Sequence, residues 1–311
     1  MNPVIETVNL TKSFGDVRAV SDLTLSIRTG EMFGLVGPDG AGKTSSIRML
    51  CGILAPTSGG ATILGVDLLK NPDRVKKEIG YLSQRFSLYG DLTIDENIEF
   101  FAEINNVHDF KKRREELLEF TRLAPFRKRL AEKLSGGMKQ KLALACTLVH
   151  TPRIILLDEP TTGVDPVSRR DFWSILQDLL LRDITIVMST PYLDEAERCS
   201  RVGLMNGGSL MRIDTPANLK KSMTGQVVEV VCDRVREAYR ILKGDRTVRE
   251  VQAFGDRLNI ILDNPSVHYP PIAASLAGAG VHVGSWRIVS PSLENVFISL
   301  LARPASREVA V

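Results

Sequence analysis

Gly37-Pro38-Asp39-Gly40-Ala41-Gly42-Lys43-Thr44 is a G-x-x-x-x-G-K-T loop set between an apolar run, Met32 to Val36, and a helix-like stretch from Lys43 to Leu50. Glycines let a backbone fold tightly enough to aim several N–H groups at oxyanions, and the following helix N-terminus adds the positive end of its dipole. Lys43 supplies a full charge. The stretch therefore reads as a phosphate cradle on a strand-loop-helix unit of an α/β fold. Gly37, Pro38, Asp39, Gly40, Ala41, Gly42, Lys43, Thr44 and Ser45 are the candidate nucleotide contacts, with Thr44 on a magnesium ion and Ser45 on a further phosphate oxygen.

A second motif lies at Ile154-Ile155-Leu156-Leu157-Asp158-Glu159. Four apolar residues without polar alternation fit a strand buried on both faces, as in a parallel sheet covered by helices. Taken alone, the acidic pair that follows reads equally well as a helix N-cap. Beside a phosphate loop it acquires chemistry. Asp158 can reach a magnesium shell, while Glu159 faces the space beyond a γ-phosphate, where a carboxylate orients a water and takes its proton. Between the two motifs, Leu134-Ser135-Gly136-Gly137-Met138-Lys139-Gln140-Lys141 opens a helix that runs through Leu148. Ser135 is placed to cap it, and Gly136 and Gly137 leave its first N–H groups bare, which makes a second phosphate dock. One chain has no need of two cradles for one nucleotide. The economical arrangement is a dimer, each ATP lying between the lysine loop of one subunit and the Ser-Gly-Gly helix of the other.

With these motifs in this order the chain resembles the ATP-binding subunit of an ABC transporter, over residues 4 to about 220. Within that family its Gly-Pro-Asp-Gly loop and Leu-Ser-Gly-Gly-Met-Lys-Gln-Lys run look like the first ATPase copy of tandem-fused bacterial exporter ATPases, of the ABC-2 or drug-resistance type. The resemblance implies a P-loop NTPase of ABC type: a RecA-like α/β core with an antiparallel β subdomain and a helical subdomain at about 86–150, together filling residues 1–222. A small C-terminal α+β accessory domain would occupy 223–311. It also implies roles by position. Phe14, in Lys12-Ser13-Phe14-Gly15, stacks on the base; Gln84, in Tyr81-Leu82-Ser83-Gln84, joins Thr44 and Asp158 around magnesium and faces the membrane partner; Glu159, Lys43 and Gln84 form the catalytic set. Ser135, Gly136, Gly137 and Gln140 serve the partner's nucleotide, and Asp165 in Gly163-Val164-Asp165-Pro166 crosses the dimer seam. The implied cofactors are ATP and Mg2+. The implied partners are polytopic membrane subunits of an exporter, for multidrug or small-molecule efflux, and a second ATP-binding subunit. Phe86-Ser87-Leu88-Tyr89, directly after Gln84, falls where the family forms the groove for a coupling helix; an ordinary core role for these apolar residues stands beside that reading.

One position departs from the family pattern. After the apolar strand Ile184 to Met188 the family writes Ser-Thr-His, whereas this chain has Ser189-Thr190-Pro191-Tyr192-Leu193-Asp194-Glu195. The switch histidine donates to the γ-phosphate and pins the catalytic carboxylate. Proline has no side-chain donor and no backbone N–H, and it biases Thr190 toward extended geometry. Losing a preorganised donor of this kind costs about 10²–10³ in turnover. The expectation is an attenuated site that still binds ATP and completes a competent site on a second ATPase; substitution by Tyr192 or a water is the competing reading.

Composition sets the outer limits. The 311 residues carry 40 basic and 37 acidic side chains, a net charge of +3 that is too balanced for a nucleic-acid surface. Length suits one large unit plus one small one. Cys51, Cys146, Cys199 and Cys232 have no C-x-x-C spacing and read as buried reduced thiols, which fits a cytosolic compartment. The N-terminal text shows no signal peptide, and no apolar run is long enough to cross a bilayer, so the expected location is cytoplasmic, peripheral on the inner face of the membrane. Residues 4–35 alternate like antiparallel strands, and Lys111 to Glu116 reads as a solvated helix face. Beyond Gly225, strand-like Val227–Val231 and Leu258–Leu262 and helical Val235–Leu242, Ile272–Leu276 and Ser292–Phe297 suggest the appended unit, whose task is not legible from residues. Two other functions fit the same motifs: a catalytically silent ATP-binding regulatory subunit, and a non-transport ABC ATPase, although such chains usually carry two cassettes or long coiled-coil inserts.

Overall fold

The structure is a computed structural model and describes residues 3–84 and 88–302. It forms two compact units, residues 1–213 and 214–311. The first unit begins with β1 (Pro3–Phe14), β2 (Val17–Arg28), β3 (Met32–Val36), α1 (Lys43–Leu50), β4 (Ser58–Ile63), β5 (Val66–Asp67), α2 (Pro72–Lys76) and β6 (Ile79–Leu82). Helices α3 (Ile94–Ile104), α4 (Phe110–Phe120) and α5 (Gly136–Leu148) follow, then β7 (Ile154–Asp158), α6 (Pro166–Leu180), β8 (Thr185–Thr190), α7 (Leu193–Ala196), β9 (Arg201–Asn206) and β10 (Ser209–Asp214). The strands join in the order β5-β4-β1-β2-β10-β9-β3-β8-β7-β6. The pairs β9-β3, β3-β8, β8-β7 and β7-β6 are parallel, whereas β1 pairs antiparallel with β2 and β4.

The two halves of this sheet follow from their residue patterns. Every position of β3, β7 and β8 is buried, as expected of strands covered on both faces. In β2, Leu23, Leu25 and Ile27 are buried while Thr24, Ser26 and Arg28 are exposed, the alternation of a sheet with one wet face. The helical part is pinned by polar contacts as well as apolar ones. Thr93 and Glu96 close a capping box at the start of α3. Asn97 is fully buried: its amide donates to the carbonyls of Tyr89, Leu92 and Thr93 and its Oδ1 accepts from the Tyr89 amide, shaping the segment ahead of α3. The run Lys111 to Glu116 is not wholly solvated. Arg113 reaches the Leu148 carbonyl at 3.0 Å, and Arg114 lies 3.8 Å from Asp95 and 3.6 Å from Glu99, so these two stems pack inward while Lys111 and Lys112 face water. Of the apolar residues after Gln84, Phe86 lies outside the described residues, Leu88 is half-buried, and Tyr89 is exposed with its ring edge on Phe100 at 4.5 Å.

The second unit comprises α8 (Pro216–Lys221), β11 (Gln226–Cys232), α9 (Val235–Lys243), β12 (Val248–Phe254), β13 (Arg257–Leu262), α10 (Pro265–Gly278), β14 (Val283–Val289) and α11 (Leu293–Ala302). Its antiparallel sheet has the order β12-β13-β11-β14 and shares a core with α9 and α10 through Val228, Val230, Ala238, Leu258, Ile260 and Ile272. The break between units precedes the expected 222/223 boundary, because α8 packs on α11 and goes with the second unit. Helix α10 is longer than the expected Ile272–Leu276: Pro270 and Pro271 lie inside it, each removing one helical hydrogen bond, while buried Tyr269, Ile272 and Leu276 hold it to the sheet. Strand β12 was not anticipated, since its buried position is a polar one, Gln252, bonded to the Asn295 carbonyl and side chain in α11.

All four cysteines are free and buried. Burial pushes the thiols of Cys51 and Cys146 up and that of Cys199 to about 12. Among the described residues no helix is long and apolar enough to cross a membrane.

Helices α5 and α6 meet at a point with no slack. A Cβ on Gly137 would lie 2.3 Å from Cβ and Oγ of Ser168. Gly137→Ala is expected to lower the stability of the first unit by about 1–3 kcal/mol, the usual cost of overpacking, seen as a lower urea midpoint. Adding Ser168→Gly should recover part of the loss. An unchanged midpoint for Gly137→Ala would mean that the two helices separate freely.

Candidate functional site

Parallel pairing brings the loops that matter to one edge of the sheet. Val36 pairs with Thr190, Asp158 with Ser189 and Leu82 with Leu157, so β3, β8, β7 and β6 end at the same level. The chain leaves these ends as the 37–44 loop, the Pro191 turn, Glu159 and the Ser83–Gln84 segment. Carboxyl ends of parallel strands are where open α/β sheets carry their ligands.

The 37–44 loop is forced into shape by its neighbours. A Cβ on Gly37 would stand 2.1 Å from the Met205 carbonyl oxygen, and one on Gly42, whose φ is +97°, 2.4 Å from that of Ala19. No other residue type fits either place without moving backbone. Pro38, Asp39 and Gly40 form an exposed crest, Ala41 turns inward with its amide on the Pro38 carbonyl, and Thr44 and half-buried Ser45 lie in the first turn of α1. Lys43 is only 3% exposed. Its ammonium donates to the carbonyls of Gly37 at 2.8 Å and Pro38 at 3.0 Å and lies 3.3 Å from Glu159 Oε1. Burying an ammonium group calls for short contacts with oxygen, and phosphate oxygens are the same kind of partner.

The two carboxylates have separate surroundings. Asp158 is fully buried, with Oδ1 accepting from Thr44 Oγ1 at 2.9 Å and Ser189 Oγ at 2.7 Å. Its Oδ2 is buried with no hydrogen-bond partner. An orphaned carboxylate oxygen beside a threonine hydroxyl is the donor set that a hard divalent cation takes, so Thr44 and Asp158 fit magnesium. Glu159 leaves the strand in a left-handed conformation, φ +48°, held by hydrogen bonds from its amide to the Ser189 carbonyl and hydroxyl. Such backbone strain is typical of side chains re-aimed for function. Its Oε2 accepts from Gln84 Nε2 at 3.0 Å. Lys43, Thr44, Asp158, Glu159 and Gln84 thus form one continuous cluster, with Gln84 joined to it through Glu159.

The remaining candidates lie apart from that cluster in their recorded contacts. Phe14 is 51% exposed, with the Lys12 ammonium 5.1 Å above its ring. Ser135 caps α5 by accepting from the Met138 amide at 3.3 Å; Ser135 and Gly136 are exposed, and the nearest atom to a Cβ on Gly136 is the Gly163 carbonyl at 3.8 Å. Gln140 is buried, its Nε2 unpartnered. Asp165 caps α6 by accepting from the amides of Val167 and Ser168, and bonds from Ser168, its hydroxyl first, hold the Asp165 carboxyl below the usual range. The Ser135 end of α5 and the Asp165 end of α6 are therefore neighbours.

At the switch position, β8 runs extended to Thr190, as a following proline favours, and Pro191 offers no donor. The ring of Tyr192 is taken up by the Arg169 guanidinium at 5.2 Å. Sequence reasoning passed over Ser189, Thr161, Thr190, Arg169 and Glu195. Glu195 sits in a short acidic stretch that looks solvated in the text, yet it is 1% exposed and bonded to both threonines. Ser189, Thr161, Thr190 and Glu195 are marked only by their common distance from water and Arg169 by its place beside Glu195, neither of which a linear pattern carries.

Removing the lysine tests the cluster. In nucleotide-free protein, Lys43→Ala leaves Glu159 buried without its counter-charge, and breaking a buried pair costs roughly 3 kcal/mol or more in urea unfolding. Lys43→Ala with Glu159→Gln should be more stable than Lys43→Ala alone; if the double variant is no better, the pair is not what balances Glu159.

Comparison with known proteins agrees with this geometry. The family described as ABC transporter matches residues 20–162. The chain is 49% identical over 231 residues to Probable multidrug ABC transporter ATP-binding protein YbhF of Escherichia coli (strain K12), a match covering 73% of this chain and 40% of YbhF, so it spans less than half of that relative. It is 33% identical over 310 residues to Daunorubicin/doxorubicin resistance ATP-binding protein DrrA of Streptomyces peucetius, covering 97% of this chain and 93% of DrrA. Among solved structures, an ATP-binding cassette captured as a dimer in a post-hydrolysis state with ADP and Pi is 27% identical with a TM-score of 0.62, over 68% of this chain and 98% of that one. With its lysine loop, its Asp-Glu strand and a relative matched almost end to end, the chain belongs to the ATP-binding proteins of ABC transporters.

Proposed function

We propose that this chain is an ATPase subunit of a bacterial exporter of the multidrug or small-molecule type. It pairs with a second ATP-binding subunit and drives separate polytopic membrane subunits from the inner face of the membrane. The observation that carries this reading is the convergence of Lys43, Thr44, Asp158, Glu159 and Gln84 at the ends of parallel strands. The names of the relatives, multidrug and daunorubicin resistance, support the export class.

In this reading Phe14 stacks on adenine and the loop amides grip the phosphates. Lys43 exchanges its loop carbonyls for phosphate oxygens. Magnesium, held by Thr44 and Asp158 with Gln84 as the third candidate, supplies charge neutralisation on those oxygens. Glu159 orients the attacking water and accepts its proton, and Gln84 steadies that carboxylate. Ser135, Gly136, Gly137 and Gln140 serve the nucleotide of the partner, with Asp165 beside them at the seam. Pro191 withholds one contact from the transition state, so this subunit hydrolyses slowly at its own site while completing the site of its partner. A silent regulatory subunit is the second reading, favoured by the same proline.

Kinetics separates the two. Purified protein is expected to turn over slowly, and Glu159→Gln should lower turnover by a further factor of about 10²–10⁴ while calorimetry still registers Mg-ATP binding. Pro191→His should raise turnover, by up to about 10²-fold. No gain in Pro191→His would end the account of attenuation, and no hydrolysis by the wild type, alone or with a partner ATPase, would favour the silent subunit.

A further inference from the structure

Glu195 stands one turn beyond Pro191, in α7. A glutamate in a short helix after a strand is ordinarily solvated. This one is withdrawn from water and fully partnered. Its Oε1 accepts from Thr161 Oγ1 at 2.5 Å, its Oε2 accepts from Thr190 Oγ1 at 2.8 Å, and Arg169 Nε lies 3.6 Å from Oε1. The partners are what give the arrangement meaning. Thr161 belongs to the turn that Glu159 opens, a turn closed by bonds from the Thr162 amide to the Glu159 carbonyl and from the Val164 amide to the Thr161 carbonyl. Thr190 is the last residue of β8; its carbonyl accepts from the Gly37 amide at 3.4 Å, and its hydroxyl also accepts from the Tyr192 amide at 3.0 Å, spanning Pro191. A single buried carboxylate therefore ties together the turn carrying Glu159, the backbone on both sides of Pro191 and, through Thr190, the first residue of the phosphate loop.

We propose that Glu195 is a positioning residue for ATP hydrolysis: by bridging Thr161 to Thr190 it holds the Glu159 turn in register with the phosphate loop, in a chain whose Pro191 lends no side chain to that task. The proposal rests on the ATPase reading above. Its physical basis is the sensitivity of turnover to placement, since a shift of about 1 Å in a catalytic group costs on the order of 10²-fold. Glu159 is held by its backbone in a strained conformation, and the far side of its turn is anchored by Thr161. Arg169 lies 3.6 Å from Glu195 Oε1 and rests on the Tyr192 ring, so Glu195 is also linked through it to the residue that follows Pro191.

Each arm of the bridge can be cut without changing side-chain volume much. Thr161→Val and Thr190→Val are expected to lower kcat by about tenfold or more while KM for ATP stays within about twofold, and Thr161→Ser and Thr190→Ser, which keep the hydroxyl, should regain most of the loss. Glu195→Gln, which keeps the shape but replaces one acceptor by a donor, should fall in kcat with the valine variants. A second measurement needs no turnover. In nucleotide-free protein, Thr161→Val should speed amide hydrogen exchange across the bridge, at residues 190–196, and Thr190→Val should do so at residues 159–164. Turnover equal to wild type in both valine variants overturns the proposal, as does exchange confined to the mutated segment. A wild type without any hydrolysis counts against the ATPase reading instead, and the exchange result then decides the bridge by itself.

Discussion

An ammonium group withdrawn from water has to find its compensation within about 3 Å, and in this chain Lys43 finds it in two carbonyls of its own loop and in Glu159. Much of the surrounding geometry serves that requirement. The loop must double back on itself for Gly37 and Pro38 to present their carbonyls, which leaves no room for a side chain between Gly37 and Met205. Glu159 must leave its strand in a left-handed turn for its carboxylate to meet the lysine. The buried positions of β3, β7 and β8 supply the rigid floor on which both are mounted. Any anion that replaces the carbonyls as partner to Lys43 competes for the same cation as Glu159. Affinity for phosphate and the freedom of the carboxylate are linked by one charge.

The neighbouring carboxylate answers to a different constraint. Asp158 is paired on one oxygen by two hydroxyls and left bare on the other, in a place that water does not reach. An arrangement with unused acceptor capacity costs free energy in isolation and persists where a cation satisfies it. The two adjacent acids thus differ as their neighbours differ: an ammonium and an amide beside Glu159, two hydroxyls on one oxygen of Asp158 and no hydrogen-bond partner on the other.

What could be read in advance was whatever the chain writes locally. The loop from Gly37 to Thr44 announces itself because its glycines, its lysine and the following helix occupy eight consecutive places, and Ile154 to Leu157 because strands buried on both faces carry no polar alternation. Ser135 was legible as a cap for the same reason, bonding an amide three residues on, whereas the cap that Asp165 makes on α6 was not read in advance. What escaped was set by partners distant in sequence. Glu195 is buried only because Thr161, 34 residues away, and Arg169 come to meet it. Arg113 and Arg114 look like solvated helix text until the Leu148 carbonyl and Asp95 are placed beside them. In the second unit, α10 continues through two prolines and β12 is built around a polar core residue, because tertiary packing outweighs the local rules that both break.

The absence of a side chain at Gly137 has a mechanical side. With Ser168 pressed against its backbone, the helix that begins at Ser135 cannot slide along the helix that Asp165 caps. Ser135 and Asp165 are then two studs on one yoke: a displacement of either bears on the other through the Gly137–Ser168 contact, and from Asp165 the chain leads straight back to the turn that Glu159 opens.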